Sequence, residues 1–114
     1  MGRGIVKLGK EWYVEWSTVV DAPVTFGMNR DELIEYLFEQ EGNKWHDLDD
    51  PRILEIIERD VANRLERIDQ KGTSFYHYRS NDFVKHNRAG KNECRLDLNQ
   101  LIYWYCVQKK DPEA

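Results

Sequence analysis

Cysteine is scarce in this chain. Only Cys94 and Cys106 occur among 114 residues, and neither stands in a CxxC or similar ligand spacing. That leaves no cysteine-built zinc site and predicts reduced thiols packed as small buried apolar side chains. Long apolar runs are missing as well: no stretch approaches the roughly 20 residues of a membrane-spanning helix. The opening MGRGIVKLGK is too polar for a signal peptide. The expectation is a cytoplasmic protein with no membrane partner. Excess positive charge is absent too. Lys and Arg number 17 against 21 Asp and Glu, for a net charge of −4. Nucleic-acid binders usually carry a basic surface, because phosphate contacts supply most of their affinity. The charge therefore disfavours nucleic acid as the principal partner. The signatures GxSxG, HExxH, GxGxxG and the P-loop do not occur, and no cofactor is implied. Ser17, Ser74 and Ser80 lack the flanks of an activated nucleophile. His77 and His86 are the candidates for acid–base work, a common role of imidazole, but sequence alone does not bring them together.

What the chain does have is aromatic and charged residues: 12% aromatic, 40% hydrophobic and 33% charged. Disordered chains are poor in aromatics, so this composition describes a folded core beneath a heavily charged surface. The length fits one domain, expected over residues 1–108, with a frayed tail at 109–114.

The hydrophobic pattern outlines an α+β fold. Gly4–Leu8 and the aromatic, β-branched run Glu11–Val20 read as a hairpin joined at Gly9 and Lys10. Alternation puts Trp12, Val14, Trp16, Thr18 and Val20 on the face that meets the core. Asp21, Ala22 and Pro23 end the strand. Asn29 with Glu32 forms a capping-box pattern, and Met28 with Leu33 a hydrophobic staple, for a helix over 30–41 stopped by Gly42. Asp50 and Pro51 open a second helix, whose stripe Leu54, Ile57, Val61, Leu65, Ile68 runs to a stop at Gly72. On its outer face Asp60 and Arg64 stand as an i,i+4 ion pair. Thr73–Tyr78 reads as a third strand, 80–86 as a short helix, and Glu93–Leu96 as a brief edge strand. Asp97 with Gln100 opens a last helix reaching about Gln108. The expected architecture is a small antiparallel sheet, the hairpin plus one or two later strands, with three to four helices on one face.

Three groups of residues are candidates for a function. Tyr103, Trp104 and Val107 fall opposite the core-facing Leu98, Leu101, Ile102, Tyr105 and Cys106 at about 100° per residue. A helix apolar all round is normally buried all round, so this second face predicts an interface, where Tyr and Trp are favoured anchors. The second group is Tyr76, Tyr78, Arg79, Lys85, Arg88 and Lys91, in which cations alternate with rings as single-stranded nucleic acid or a nucleotide would require. The third is His46, Asp47, Asp49 and Asp50, an imidazole and three carboxylates that would suit a divalent metal and a small hydrolase. Asp residues ahead of a Pro-started helix also serve the helix dipole.

In general character the chain is short, acidic, free of catalytic motifs and rich in aromatics, and so resembles accessory proteins encoded by bacteriophages. The resemblance carries over no functional residue. The expected function is that of a small non-enzymatic interaction protein, a homodimer or a binder of another protein. Nucleotide or nucleic-acid binding and metal-dependent hydrolysis are the alternatives.

Overall fold

A computed structural model describes residues 2–112. The expected class holds: a three-stranded antiparallel sheet with four helices. β1 (Arg3–Leu8) and β2 (Trp12–Ser17) form the hairpin, in register from Arg3 opposite Ser17 to Leu8 opposite Trp12. β2 stops earlier than the apolar run implies. Thr18–Asp21 turns the chain, with Asp21 at φ 53°, and Val19 and Val20 are exposed on that turn. Ala22–Pro23 then returns as β3 on the free edge of β2. The prolines of sheets sit on such edges, where a missing N–H breaks no ladder.

The third strand expected at Thr73–Tyr78 is reduced to a single bridge, between Val6 and Thr73. The Lys7 N–H donates to Gly72 O at 2.7 Å and the Ser74 N–H to Ile5 O at 2.9 Å. Beyond Ser74 the pairing ends, because the Phe75 and Tyr76 carbonyls accept from the Lys71 ammonium instead. The edge strand expected at Glu93–Leu96 is absent as well. Lys91–Glu93 is a 3-10 turn, with Asn92 and Glu93 both at positive φ. Leu96 gets its backbone partners from a side chain: Asn87 Nδ2 donates to Leu96 O at 2.6 Å, and its Oδ1 accepts from the Leu96 N–H at 3.0 Å. A buried carboxamide does there what a neighbouring strand would otherwise do.

α1 (Arg30–Gly42) has both halves of the Asn29–Glu32 capping box, and Met28 packs on the cluster that holds Leu33. Gly42 does not stop it; Gly42 is the last helical residue and Asn43 caps the end in αR geometry. α2 (Pro51–Lys71) has the expected bounds, with Asp50 capping its start and Gly72 at φ 78° closing its end, a left-handed position that a Cβ disfavours. α1 and α2 run antiparallel. Arg30 at the start of α1 makes a bidentate pair with Asp69 at the end of α2, at 2.6 and 3.0 Å. The 13 residues of α1 reach about 20 Å and the 21 of α2 about 31 Å. The first turns of α2 therefore overhang α1. That is why Leu54, placed by its spacing in the core stripe, is 45% exposed. Ile57, Val61 and Ile68 are buried, and Leu65 is half-buried.

α3 (Ser80–Lys85) is a short helix as expected. α4 (Leu98–Leu101) starts on the Asp97–Gln100 capping box and continues without a break as a π-helix over Ile102–Gln108. No helix among the described residues is long and apolar enough to cross a membrane.

The helices divide between the two sides of the sheet. Val6, Leu8, Val14 and Trp16 meet Phe83, Leu101, Tyr105 and Cys106 on one face. Ile5 and Tyr13 meet Leu33, Leu37, Ile57, Val61 and Ile68 on the other. The strand alternation is right for Trp12, Val14 and Trp16, whereas Thr18 and Val20, expected on the same face, lie beyond the strand and are exposed. The opposite face is covered as well, by α1 and α2. Cys106 is buried, as expected of a free thiol, whereas Cys94 is exposed. In the tail, the Lys110 N–H bonds Trp104 O and the Lys109 ammonium bonds Gly27 O; residues 113–114 lie outside the described range.

Candidate functional site

The C-terminal helix is the first candidate. Gly27 fits against it so closely that a Cβ would lie 2.8 Å from Cys106 Cα. The Gly27 N–H donates to Tyr105 O at 2.8 Å, supplying a helix-end carbonyl with a partner. Leu101, Tyr105 and Cys106 are buried by this docking, while Tyr103 is 48% and Val107 60% exposed. The π winding modifies the expected face. Wider i→i+5 turns bring residues four apart more nearly into line than α turns do, so Tyr103 and Val107 form one outward row. Trp104 instead rotates towards the core, where it is half-buried against the first cluster. Its ring meets Tyr103 edge-on at 5.1 Å. Val24 and Phe26 are exposed just before Gly27, beside Tyr105. The result is an apolar surface on a rigidly anchored helix.

The second candidate is a polar cleft of about 680 Å³ between the sheet, the end of α1 and one face of α2. Two carboxylates are buried in it, Glu15 and Glu41, with side chains only 6% and 4% exposed. Glu15 Oε2 accepts from Gln40 Nε2 at 2.7 Å, and Arg3 lies 3.7 Å from the same carboxylate. Glu41 accepts from Lys44 at 3.0 Å and from Arg64 at 3.3 Å, and Arg64 also donates to Gln40 Oε1 at 3.3 Å. Arg64 therefore serves Glu41 across the helix pair, rather than the Asp60 that its i,i+4 spacing offers. Sequence reasoning missed this site. Its signal was the row Asp60, Asn63, Arg64, Arg67, polar residues at three- and four-residue spacing on the side of α2 that lines the cleft.

Three groups around these sites have raised pKa values. Burial, and then a hydrogen bond to Glu15, push the Tyr36 phenol up from 10.0 to about 12. Burial pushes Tyr105 to about 12 and the Cys106 thiol to about 11. A group whose folded pKa exceeds its unfolded value stabilises fully below the unfolded value and loses that contribution as pH rises through the folded one. Stability should therefore decline between about pH 9 and about pH 12, the interval spanned by the ordinary thiol value and the raised phenols. Urea midpoints measured across that interval check this. Tyr36→Phe should flatten the decline, and a midpoint constant to the top of the range would contradict it.

The two tyrosines of the basic–aromatic group line different pockets. Tyr76 lines the polar cleft, whereas Tyr78 lines a separate pocket of about 230 Å³ with Trp16, Asp21, Phe83 and His86. Arg88 pairs with Glu93. Arg79, Lys85 and Lys91 are exposed, and the Arg79 N–H bonds Asp82 in capping α3. His86 stands in the aromatic pocket, and His77 is exposed outside it.

His46, Asp47, Asp49 and Asp50 lie in the loop before α2. The Asp50 carboxylate accepts from the Arg52 N–H at 2.9 Å and pairs with its guanidinium, which holds its pKa below the usual value. Asp47 accepts from the Asp49 N–H in a local turn. Among the described residues no three His, Cys, Asp or Glu side chains are grouped to hold a metal ion. Helix capping accounts for Asp50 and a local turn for Asp47.

In comparisons with protein-family models, curated proteins and solved structures, nothing matches this chain.

Proposed function

We propose that this chain acts by association through its C-terminal helix, most simply as a two-fold homodimer. The observation that supports the reading is the outward row of Tyr103 and Val107 on a helix whose other side is locked into the core. Single exposed apolar residues are ordinary, but a rigid apolar row with further apolar side chains close by is what association surfaces present. Val24 and Phe26 are exposed as well, beside Tyr105 of the same helix. Aromatic anchors carry much of the energy of such contacts, and two-fold symmetry is the commonest way for one surface to meet itself.

Light scattering at micromolar concentration should give the mass of a dimer. The double variant Tyr103→Glu/Val107→Glu changes two exposed side chains, so it should stay folded and give the mass of a monomer. A wild-type monomer across that range would remove the homodimer and leave another protein as the occupant of this face.

A further inference from the structure

We propose that the polar cleft binds a mononucleotide, with the phosphate among Arg3, Lys44 and Arg64 and the base on Tyr76. The site is independent of the C-terminal helix. Its size falls within the roughly 300–1,000 Å³ typical of small-molecule pockets.

The buried carboxylates are the reason to read it as a phosphate site. A charge taken out of water must be paired. Glu15 and Glu41 are paired: Lys44 and Arg64 hydrogen-bond Glu41, and Arg3 lies 3.7 Å from Glu15. Gln40 ties the two carboxylates into one network, donating to Glu15 and accepting from Arg64. Arg3, Lys44, Arg64 and Arg67 thus line one concavity with Glu15, Glu41 and Asp60, four cations against three carboxylates in a chain of net charge −4. Both bonds Arg64 makes to the protein among the described residues run through Nη1. A guanidinium has five N–H donors, so most of that fork remains for a ligand. Preorganised Arg and Lys groups are what a phosphate dianion selects.

The aromatic part of the ligand follows from Arg67 and Tyr76. Arg67 donates to Ser74 O at 2.8 Å and to the Tyr76 hydroxyl at 3.2 Å, with its guanidinium 4.1 Å from the centre of the Tyr76 ring. One face of the ring is therefore backed by a cation, while the residue remains 74% exposed. An exposed ring that lines the same cleft as these cations offers a stacking platform for a base. The Asn43 and Asn63 carboxamides line the same cleft and can donate to or accept from ribose or base edges.

The test is calorimetry and amide-shift mapping on the full chain with adenosine 5′-monophosphate, inorganic phosphate and adenosine as separate probes. The monophosphate should saturate below millimolar concentration, shift the amides around Gln40, Lys44 and Arg64, and weaken as salt rises. Phosphate should bind the same residues at least about tenfold more weakly, and adenosine more weakly still. Arg3→Gln/Lys44→Gln alters two side chains that are 66% and 65% exposed, and Gln40 and Arg64 still donate to Glu15 and Glu41; the circular dichroism spectrum should be unchanged while both phosphate-bearing probes lose about tenfold or more in affinity. Tyr76→Ala should bring the monophosphate down to the affinity of inorganic phosphate and leave phosphate itself unchanged. The proposal is overturned by a cleft without saturable shifts at millimolar monophosphate, or by binding that the Arg3/Lys44 variant leaves intact. Equal loss of both probes in Tyr76→Ala would overturn the stacking assignment.

Discussion

Trp16→Ala is expected to cost roughly 3–5 kcal/mol of folding stability, the usual range for truncating a buried aromatic. Trp16 is 1% exposed and lies on the central strand, opposite Gly4 on one side and Pro23 on the other. Its ring meets Phe83 edge-on at 5.7 Å, and Phe83 packs in turn on Phe75 and Tyr78. Removing the indole would leave a cavity walled by groups on β1, α3 and the C-terminal helix, which belong to different segments and cannot collapse together. Urea denaturation followed by far-UV circular dichroism measures the loss. A change below about 1 kcal/mol, the centre of the range for arbitrary substitutions, would place Trp16 outside the core.

On the other side of the sheet, Ile68→Ala should cost roughly 2–5 kcal/mol. Ile68 is fully buried near the end of α2, among Ile5, Tyr13 and Leu33. It is a better probe of this stripe than Leu65, which is only half-buried. The two clusters share β1 and β2, with Ile5 and Val6 as sequence neighbours on opposite faces. Losing one cluster removes the support of the strands that form the other. Both variants should therefore unfold in a single transition, with fluorescence and circular dichroism midpoints coinciding. Separate midpoints would show that the two faces are independent units.

Local signals proved legible because local physics decides them. The capping pairs Asn29–Glu32 and Asp97–Gln100 form with the predicted partners, since each satisfies backbone donors within one turn. The inner face of the last helix is also where its spacing puts it. Trp104 departs from expectation because the spacing assumed α winding, and the π turns rotate it inward. The cleft was hidden for a different reason. Glu15 alternates with Val14 and Trp16 and reads as a solvent-facing position; only the packing of α1 and α2 over that face buries it beside Gln40.

The sequence by itself determined the helix starts, the hairpin, the tryptophan-bearing core face and the α+β class. Each depends on residues within a few positions of one another, or on a period that a single element imposes. Tertiary structure alone decided that both sheet faces are covered, that Leu54 overhangs α1, and that residues 73–78 bridge rather than extend the sheet. It also decided that Glu15, Glu41, Arg3 and Arg64 share one cleft. These features depend on which elements meet and how their lengths match, and burial or ion pairing between distant segments has no local pattern to announce it.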